Sequence, residues 1–243
     1  MGNSRLYSLD FLKFIAALMI TNSHFQPLYE DVSPSLATYG VHGNALFFFV
    51  SGFLLMMGFE RKKAHGFLNW YKGRMRRLWP AVFIWVVVSA VVWKQTLTIG
   101  NLLLFDGYWF LQAIAVAYIV FFVILKIGKG TMGIRYDIQI TALIPLHIFV
   151  YYLYKVASYS WCKKAFCSMI VGKIMSWIAA LTLEIYIVQF SFVTNQFNSL
   201  FPLNLLLVFA IIVLAAYLLK VMTSLFLAVL SKEDLEWKEI VRL

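Results

Sequence analysis

Long apolar runs separated by short polar or basic connections make up most of this sequence. An α-helix needs about 20 residues to cross roughly 30 Å of hydrocarbon, and seven runs approach that length. The fifth run contains Pro145 and His147, and the seventh is over-long with Lys220 inside it. The pattern predicts an all-α fold, a polytopic integral membrane helical bundle. The runs cover residues 9–28, 41–59, 78–93, 109–127, 138–154, 167–190 and 203–230.

The stretch between the second and third runs has a different pattern, because basic residues alternate there with aromatic and aliphatic ones. Such alternation is typical of an amphipathic helix that lies on a membrane surface. We therefore predict a cytoplasmic amphipathic helix near residues 62–77. Pro80 suits the first turn of the span that follows. The basic residues of the stretch are Arg61, Lys62, Lys63, Lys72, Arg74, Arg76 and Arg77.

The distribution of Lys and Arg predicts the topology. Seven basic residues lie in 60–78, none in 28–40 and one in 94–108. Because cytoplasmic loops carry the excess of positive charge, the N-terminus and the 60–78 stretch are expected in the cytoplasm. Seven spans would export the basic tail after residue 231, so an even number fits better. We favour six full spans, with 138–154 re-entrant or on the cytoplasmic side, and eight if a long run is split.

The composition agrees with this pattern. Hydrophobic residues make up 62% and charged residues 13% of the 243 residues, against about 25% charged in typical soluble domains, which excludes a soluble fold. The net charge of +10 is explained by the positive-inside distribution, so membrane lipid is the expected partner and nucleic acid is not. With no internal repeat or linker, residues 1–243 are expected to form a single membrane-embedded domain.

Ionisable residues inside the first run indicate a functional role, because such groups are costly in a membrane. Asp10 and Lys13 are spaced to pair on one helix face. They also interrupt the pattern of a secretory signal, so this helix is expected to stay in the mature protein. His24 lies on the same face as Lys13 and ~16 Å further along the axis. The alternative is that Lys13 snorkels to the headgroups and His24 meets the outer interface.

The second run and the basic stretch add further polar candidates. Asn44 lies near the start of the second run, and Ser51 and Gly52 lie at mid-depth, where small residues allow close helix packing. Arg74 and Arg77 share one helix face. Paired arginines at an interface suit the phosphates of an anionic cofactor. Anionic lipid headgroups and topology explain the same arginines.

Glu184 is an acid within the sixth run, and an acid in a membrane usually has a partner. It lies eleven residues after Lys173, a spacing that places both on the same face of a helix. A structural pair is therefore the alternative to a role in which Glu184 orients a group such as His24. Cys162 and Cys167 lack a second pair and a nearby histidine, so neither a disulfide framework nor a metal site is predicted.

Several blocks resemble, in order, the motifs of the acyltransferase 3 family of integral-membrane O-acyltransferases. RLYSLDFLKFIAALMITNSHF is similar to the first-helix motif, with Lys13 and His24 as its basic residue and histidine. GNALFFFVSGFLL resembles the second-helix block, and RMRRLWP resembles the Arg-x-x-Arg block ahead of a proline. WFLQAIAVAY is similar to the block that begins with Trp109 and ends in Tyr118. LTLEIYIVQF resembles a late-helix block that contains Glu184.

The resemblance implies transfer of an acyl group, usually acetyl, from cytoplasmic acetyl-CoA to a hydroxyl of a surface or secreted glycan, at a bacterial plasma membrane. Relatives often have acidic residues where Ile114 and Ala115 stand here, and a histidine in place of Gln189. Relatives are also longer, typically with about ten helices, so the chain is identified as a shortened member. Such a chain has three alternatives: it folds with gaps, it recruits a second copy of itself as a partner, or it is a degenerate relative.

The resemblance also implies roles for the matched residues. His24 removes the proton of the acceptor hydroxyl, a task that suits an imidazole with an ordinary pKa of about 6.5. Glu184 orients His24. Arg74 and Arg77 bind the CoA phosphates, and Lys13 guides the same phosphates or stabilises the oxyanion. The other candidates are Trp109 for the cofactor or the oxyanion, Asn44 for the oxyanion, and Asp10, Ser51 and Tyr118.

Two other classes of protein are alternatives to the enzyme. One is a membrane assembly partner that kept the motifs of the first half without catalysis. The other is a transporter, which would explain ionisable residues along one stripe, although transporters commonly show inverted repeats or paired broken helices. Thermal stabilisation by acetyl-CoA would distinguish an enzyme from an assembly partner.

Overall fold

The computed structural model describes residues 7–61, 66–103, 107–127, 140–168 and 170–231. These residues form helices and no strand, with 83% of the structure helical, which confirms the all-α prediction. Each of the seven predicted runs contains helix. The α-helices in the described ranges are α1 (Tyr7–Ser23), α2 (Gly40–Arg61), α3 (Phe67–Val92), α4 (Ile99–Leu102), α5 (Trp109–Ile127), α6 (Ile140–Ala157), α7 (Ser160–Cys167), α8 (Val171–Ala180), α9 (Thr182–Val188) and α10 (Leu203–Ser231).

Three helical segments of the described residues are long and apolar enough to cross a membrane, namely Pro34–Leu55, Phe67–Val92 and Leu203–Ser231. A bent pair, α8 with α9, is a fourth if it counts as one span. Helix α1 has 17 residues and is therefore about 25 Å long at 1.5 Å per residue. The apolar helices indicate a membrane protein, while the number of six to eight spans stays a prediction.

Helix α3 joins two segments that the sequence pattern separates. It runs unbroken from Phe67 to Val92, so the described part of the basic stretch and the third apolar run form one helix. The placement of Pro80 in the first turn of a new span is wrong, because Pro80 lies in the interior of α3. A proline there costs a helix about 3 kcal/mol, and Pro80 is buried together with Leu78 and Ala81, which contributes in the opposite direction. Residues 62–65 of the predicted amphipathic helix lie outside the described ranges.

The sixth predicted run is broken, whereas the described part of the fifth is a continuous helix. Helices α8 and α9 meet at Leu181 and are bent by 62° relative to each other. The hydroxyl of Thr182 donates to the carbonyl of Ala179 at 2.9 Å, a local bond of the kind that bends helices. The shared face predicted for Lys173 and Glu184 is therefore wrong, because the two lie on opposite sides of the bend. Lys173 is exposed and Glu184 is buried.

The chain forms two compact units, and the first comprises mainly residues 1–51 and 136–214. Helix α1 lies at the centre of this unit and packs against α6, α7, α8 and α9. Its buried residues recur at spacings of three and four, so one face of the helix makes the contacts. This face positions Lys13 and His24 among helices from the second half of the chain. The buried apolar residues of α1 are Leu9, Leu12, Ala16, Ala17 and Ile20.

Helix α2 approaches α1 closely at a glycine near its start. A Cβ on Gly43 would lie 2.8 Å from Cγ1 of Ile20 and 3.0 Å from the carbonyl oxygen of Ala16. A side chain would therefore push the two helices apart. The predicted mid-depth contact at Gly52 is looser, since a Cβ there would meet Phe121 at an ordinary 3.4 Å.

Asparagines hold together the loops that follow α1 and precede α10. Asn22 donates through Nδ2 to the carbonyls of Leu36 at 2.9 Å and Thr38 at 3.3 Å. From the other end of the chain, Asn198 donates to the carbonyl of Pro27, and Asn204 donates to the carbonyl of Leu28. These bonds fix the chain immediately after His24.

The second unit comprises residues 52–135 and 215–242. Helix α3 packs against α4 and α5 within it. The indole Nε1 of Trp79 donates to the carbonyl of Leu102 at 2.8 Å, which ties α4 to the middle of α3. The rings of Phe83 and Phe226 lie 5.9 Å apart, so the end of α10 also packs on α3. This unit contains the arginines of the basic stretch.

Candidate functional site

His24 lies immediately after α1, where its backbone N–H still donates to the carbonyl of Thr21. The imidazole is half-buried, and its ring packs edge-on against Phe190 with the centroids 4.6 Å apart. Phe190 belongs to the 3₁₀ turn that continues α9. Packing of α9 on α1 therefore places the predicted base beside the late motif, although the two are far apart in sequence.

The predicted pair in the first helix is confirmed. The ammonium of Lys13 lies 3.5 Å from Oδ1 of Asp10, and the two side chains are 27% and 13% exposed. Both residues belong to α1, near the end of the helix opposite to His24. Lys13 is therefore an anchored cation, because the Asp10 carboxylate restricts where its ammonium can reach.

Glu184 and Gln189 occupy the buried part of the late motif. Glu184 is 2% exposed in the first turn of α9, and Gln189 is 0% exposed at its end. The contact that the structure shows for His24 is with Phe190. The orientation of His24 by Glu184 therefore stays a prediction. Gln189 is distinctive, because neither its Nε2 nor its Oε1 has a hydrogen-bond partner in the described structure.

The polar residues of the second helix lie at two levels. Asn44 is in the first turns of α2, next to the close contact at Gly43. Its Oδ1 is buried without a hydrogen-bond partner among the described residues. Ser51 lies further along α2 and is half-buried. Asn44 is thus the one of the two that directly follows the close contact of α2 with Ala16 and Ile20 of α1.

Arg74 is a half-buried cation of the second unit. Its guanidinium carbon lies 5.3 Å from the centre of the Trp70 ring, a cation–π geometry. One of its terminal nitrogens would lie 3.3 Å from a Cβ on Gly58 of α2. Arg74 therefore lies between the indole of Trp70 and Gly58 of α2, a position that has no side chain. Within the described ranges, it has no carboxylate partner, so its charge is available to an anion.

Tyr118 of α5 lies close enough to Arg74 and Arg77 to interact with both electrostatically. Its ring also packs edge-on against Trp70, with the centroids 6.2 Å apart. Arg77 is exposed, whereas Arg74 is half-buried. The structure thus brings Arg74 and Tyr118 together around Trp70, with Arg77 close enough to interact electrostatically with both.

Trp109 lies apart from this group. It begins α5 and is 62% exposed, packing edge-on against its neighbour Phe110. Nine residues separate it from Tyr118, which corresponds to about 13.5 Å along the helix axis. A cofactor role for Trp109 therefore needs a ligand that extends along α5.

Trp70 and Gly58 are missing from the sequence-based set of candidates. Trp70 precedes Arg74 by one helical turn, a spacing at which side chains meet, and that spacing is the signal that would have found it. Gly58 could not be found in this way, since its role depends on how α2 and α3 pack. The two residues define the surroundings of Arg74.

The two cysteines differ in environment. Cys162 is buried in α7 and Cys167 is exposed at its end, and both are free. Burial raises the pKa of the Cys162 thiol, which lowers its reactivity. The described part of the chain contains no group of three or more His, Cys, Asp or Glu side chains that could hold a metal ion.

The fold and these residues define a helical membrane protein with a histidine at the end of its first helix. It also has an arginine that packs on Trp70 and has no carboxylate partner among the residues described. The family model described as an acyltransferase domain, acyltransferase 3, matches residues 6–144. The match covers more than half of the chain, so the chain belongs to the acyltransferase 3 family. No curated protein and no solved structure matches it significantly. Family membership supports a general role in acyl transfer.

Proposed function

We propose that this protein transfers an acetyl group from acetyl-CoA to a hydroxyl of an extracytoplasmic glycan. The observation that carries the proposal is the position of His24. A half-buried imidazole ends the first helix of an acyltransferase 3 protein, and it packs on the late motif. It is therefore held in place while one side remains accessible to a substrate.

In the proposed reaction, His24 accepts the proton of the acceptor hydroxyl through an unprotonated ring nitrogen. The oxygen bonds to the thioester carbonyl carbon, the C–S bond breaks, and the proton leaves with the CoA thiol. The negative charge that develops on the carbonyl oxygen needs donors. The side-chain amide of Asn44, which belongs to the same unit as His24, is the proposed donor. Lys13 lies about 16 Å from His24 along the helix axis and is instead proposed to guide the CoA phosphates. Glu184 is proposed to orient the imidazole.

The CoA phosphates are proposed to bind Arg74 and Arg77. Arg74 has no described carboxylate partner, and Trp70 restrains its guanidinium. A preorganised guanidinium loses little entropy when it binds phosphate. Trp70 also offers an aromatic surface next to the anion site, with Phe122 packed 5.3 Å from it.

We expect Arg74→Ala to weaken binding of acetyl-CoA by roughly tenfold to a hundredfold, since a hydrogen bond to a charged group contributes about 1.5–3 kcal/mol. Isothermal titration of the detergent-solubilised protein measures the Kd. Binding to the parent chain should also weaken as salt rises, because ions screen the attraction.

Arg76→Ala is the matched control. Arg76 lies on the same helix and carries the same charge, but it is exposed and about 160° around the helix from Arg74 at 100° per residue. We expect its Kd to stay within about twofold of the parent value. Equal weakening in both variants would mean that net charge, and not a site at Arg74, attracts the cofactor.

The proposed reaction is tested directly with radiolabelled acetyl-CoA and hydroxyl acceptors such as oligosaccharides. Purified protein should transfer the label to an acceptor and release CoA in equal amounts. Binding of acetyl-CoA without transfer to any acceptor would contradict the proposal. Failure of acetyl-CoA to raise the Tm of the protein would favour an assembly partner.

A further inference from the structure

Two amides in the first unit are both fully buried, yet their surroundings differ. Asn204 donates to the carbonyl of Leu28 at 3.1 Å and accepts from the N–H of Leu205 at 2.9 Å. Gln189 is equally buried, and neither its donor nor its acceptor is paired in the described residues. A buried polar group without a partner loses its hydration and gains nothing in return. Native proteins keep few such groups, and they call for an explanation.

The unpaired amide lies next to the proposed base. Gln189 directly precedes Phe190, whose ring packs on His24. One turn before His24, the hydroxyl of Thr21 is also buried and has no partner in the described structure. Helix hydroxyls usually find a carbonyl in the preceding turn, so Thr21 is an exception. Thr21 belongs to α1 and Gln189 to the turn that continues α9, and these are the two elements that meet at His24.

We propose that Gln189 and Thr21 form a subsite that binds hydroxyl groups of the acceptor and positions it for His24. This inference rests on the proposed acyl transfer. A hydroxyl both donates and accepts, so a single one can satisfy the carbonyl and the amino group of an amide. A phosphate or a thioester carbonyl only accepts, and it would leave Oε1 of Gln189 unpaired. The chemistry therefore favours a polyhydroxylated acceptor over the acyl donor.

A site that hydrogen-bonds a substrate hydroxyl strongly rejects molecules that lack it, because its own buried groups are then left unpaired. Gln189 is accordingly a specificity-determining residue. It should distinguish a sugar from an apolar alcohol of similar size. It should contribute little to the binding of acetyl-CoA.

Gln189→Met tests the inference, with Asn204→Leu as the matched control. Without substrate, Gln189→Met should raise the Tm by about 2–4 °C, since it removes unpaired polar atoms at nearly constant volume. Asn204→Leu should lower the Tm, because it leaves the carbonyl of Leu28 without its donor. A lower Tm in Gln189→Met would overturn the inference, since the amide would then be part of the structure.

The kinetic test uses labelled acetyl-CoA and an oligosaccharide that the parent chain acetylates. Gln189→Met should raise the KM for this acceptor about tenfold, the loss expected for one hydrogen bond, and leave the KM for acetyl-CoA unchanged. Transfer to n-octanol, an apolar alcohol, should improve relative to the sugar. An unchanged acceptor KM would overturn the subsite but not the acyl transfer. A parent chain that transfers no label would refute both.

Discussion

His24→Ala is expected to slow acetyl transfer by roughly a hundredfold to ten-thousandfold, the range that a positioned general base contributes. This variant removes the imidazole of His24, the histidine of the first-helix motif, which packs against Phe190 of the late motif. Binding of acetyl-CoA should change little, because the proposed phosphate site lies on α3. The measurement is transfer of label from acetyl-CoA at saturating donor.

In the same variant, kcat/KM for acetyl transfer should lose its dependence on pH. A base acts in its unprotonated form, so kcat/KM of the parent chain should fall as the pH drops through the pKa of His24. In His24→Ala, the residual transfer should lack that fall.

His42→Ala is the control for this experiment. His42 is also half-buried in the first unit, and it packs edge-on against Phe149 at 5.0 Å and Tyr39 at 5.7 Å. It lies outside the proposed machinery, so transfer should stay close to the parent rate. If His24→Ala transfers acetyl as fast as the parent chain, the assignment of the base is wrong.

Gly172→Ala should destabilise the first unit severely. Gly172 lies in the first turn of α8, where its Cα faces the backbone of α7, and a Cβ would overlap the carbonyl group of Phe166. Backbone cannot move aside as a flexible side chain does, so α7 and α8 would have to separate. Helix α8 also packs on α1. We expect a loss of about 4 kcal/mol or more, a size found when packing is disrupted.

Thermal unfolding in detergent measures this effect, and the Tm should fall by about 8 °C or more. Gly73→Ala is the matched control. Apart from the neighbouring backbone of α3 itself, no atom of the described residues lies within 4 Å of a Cβ at Gly73. Alanine should therefore leave the stability unchanged or raise it by up to about 1 kcal/mol. Equal Tm values for the parent chain and Gly172→Ala would contradict the described junction of α7 and α8.

The sequence predicts the helices well because apolar periodicity reports burial over many residues. It does not predict where a helix continues or breaks. Pro80 suggests a boundary where α3 is continuous, because proline chemistry is local while the packing around it is not. Leu181 lies in an unbroken apolar run, yet the helix bends there by 62°. Thr182 was the available signal, and its effect depends on which carbonyl it bonds.

For the candidate site, the sequence predicts which residues share one face of a helix, but not which residues of other helices they contact. The spacing of Asp10 and Lys13 is enough to predict their pair, because both belong to one turn. The shared helix face predicted for Lys173 and Glu184 is wrong because it requires a straight helix. The contact of Trp70 with Arg74 follows from their spacing in the predicted amphipathic helix, whereas the approach of Arg74 to Gly58 depends on how α2 and α3 pack. The burial of Gln189 without a hydrogen-bond partner among the described residues depends on tertiary packing, which periodicity does not contain.

The packing of α1 also has a consequence for the order of folding. Its partners α8 and α9, and the asparagines that bond to Pro27 and Leu28, come from residues 171–204. Such long-range contacts form late, after their loop-closure entropy has been overcome. During synthesis, the first helix therefore lacks its final packing partners in the membrane until most of the chain has been made. A fragment that ends with the family match at residue 144 would contain His24 but not the helices that hold it.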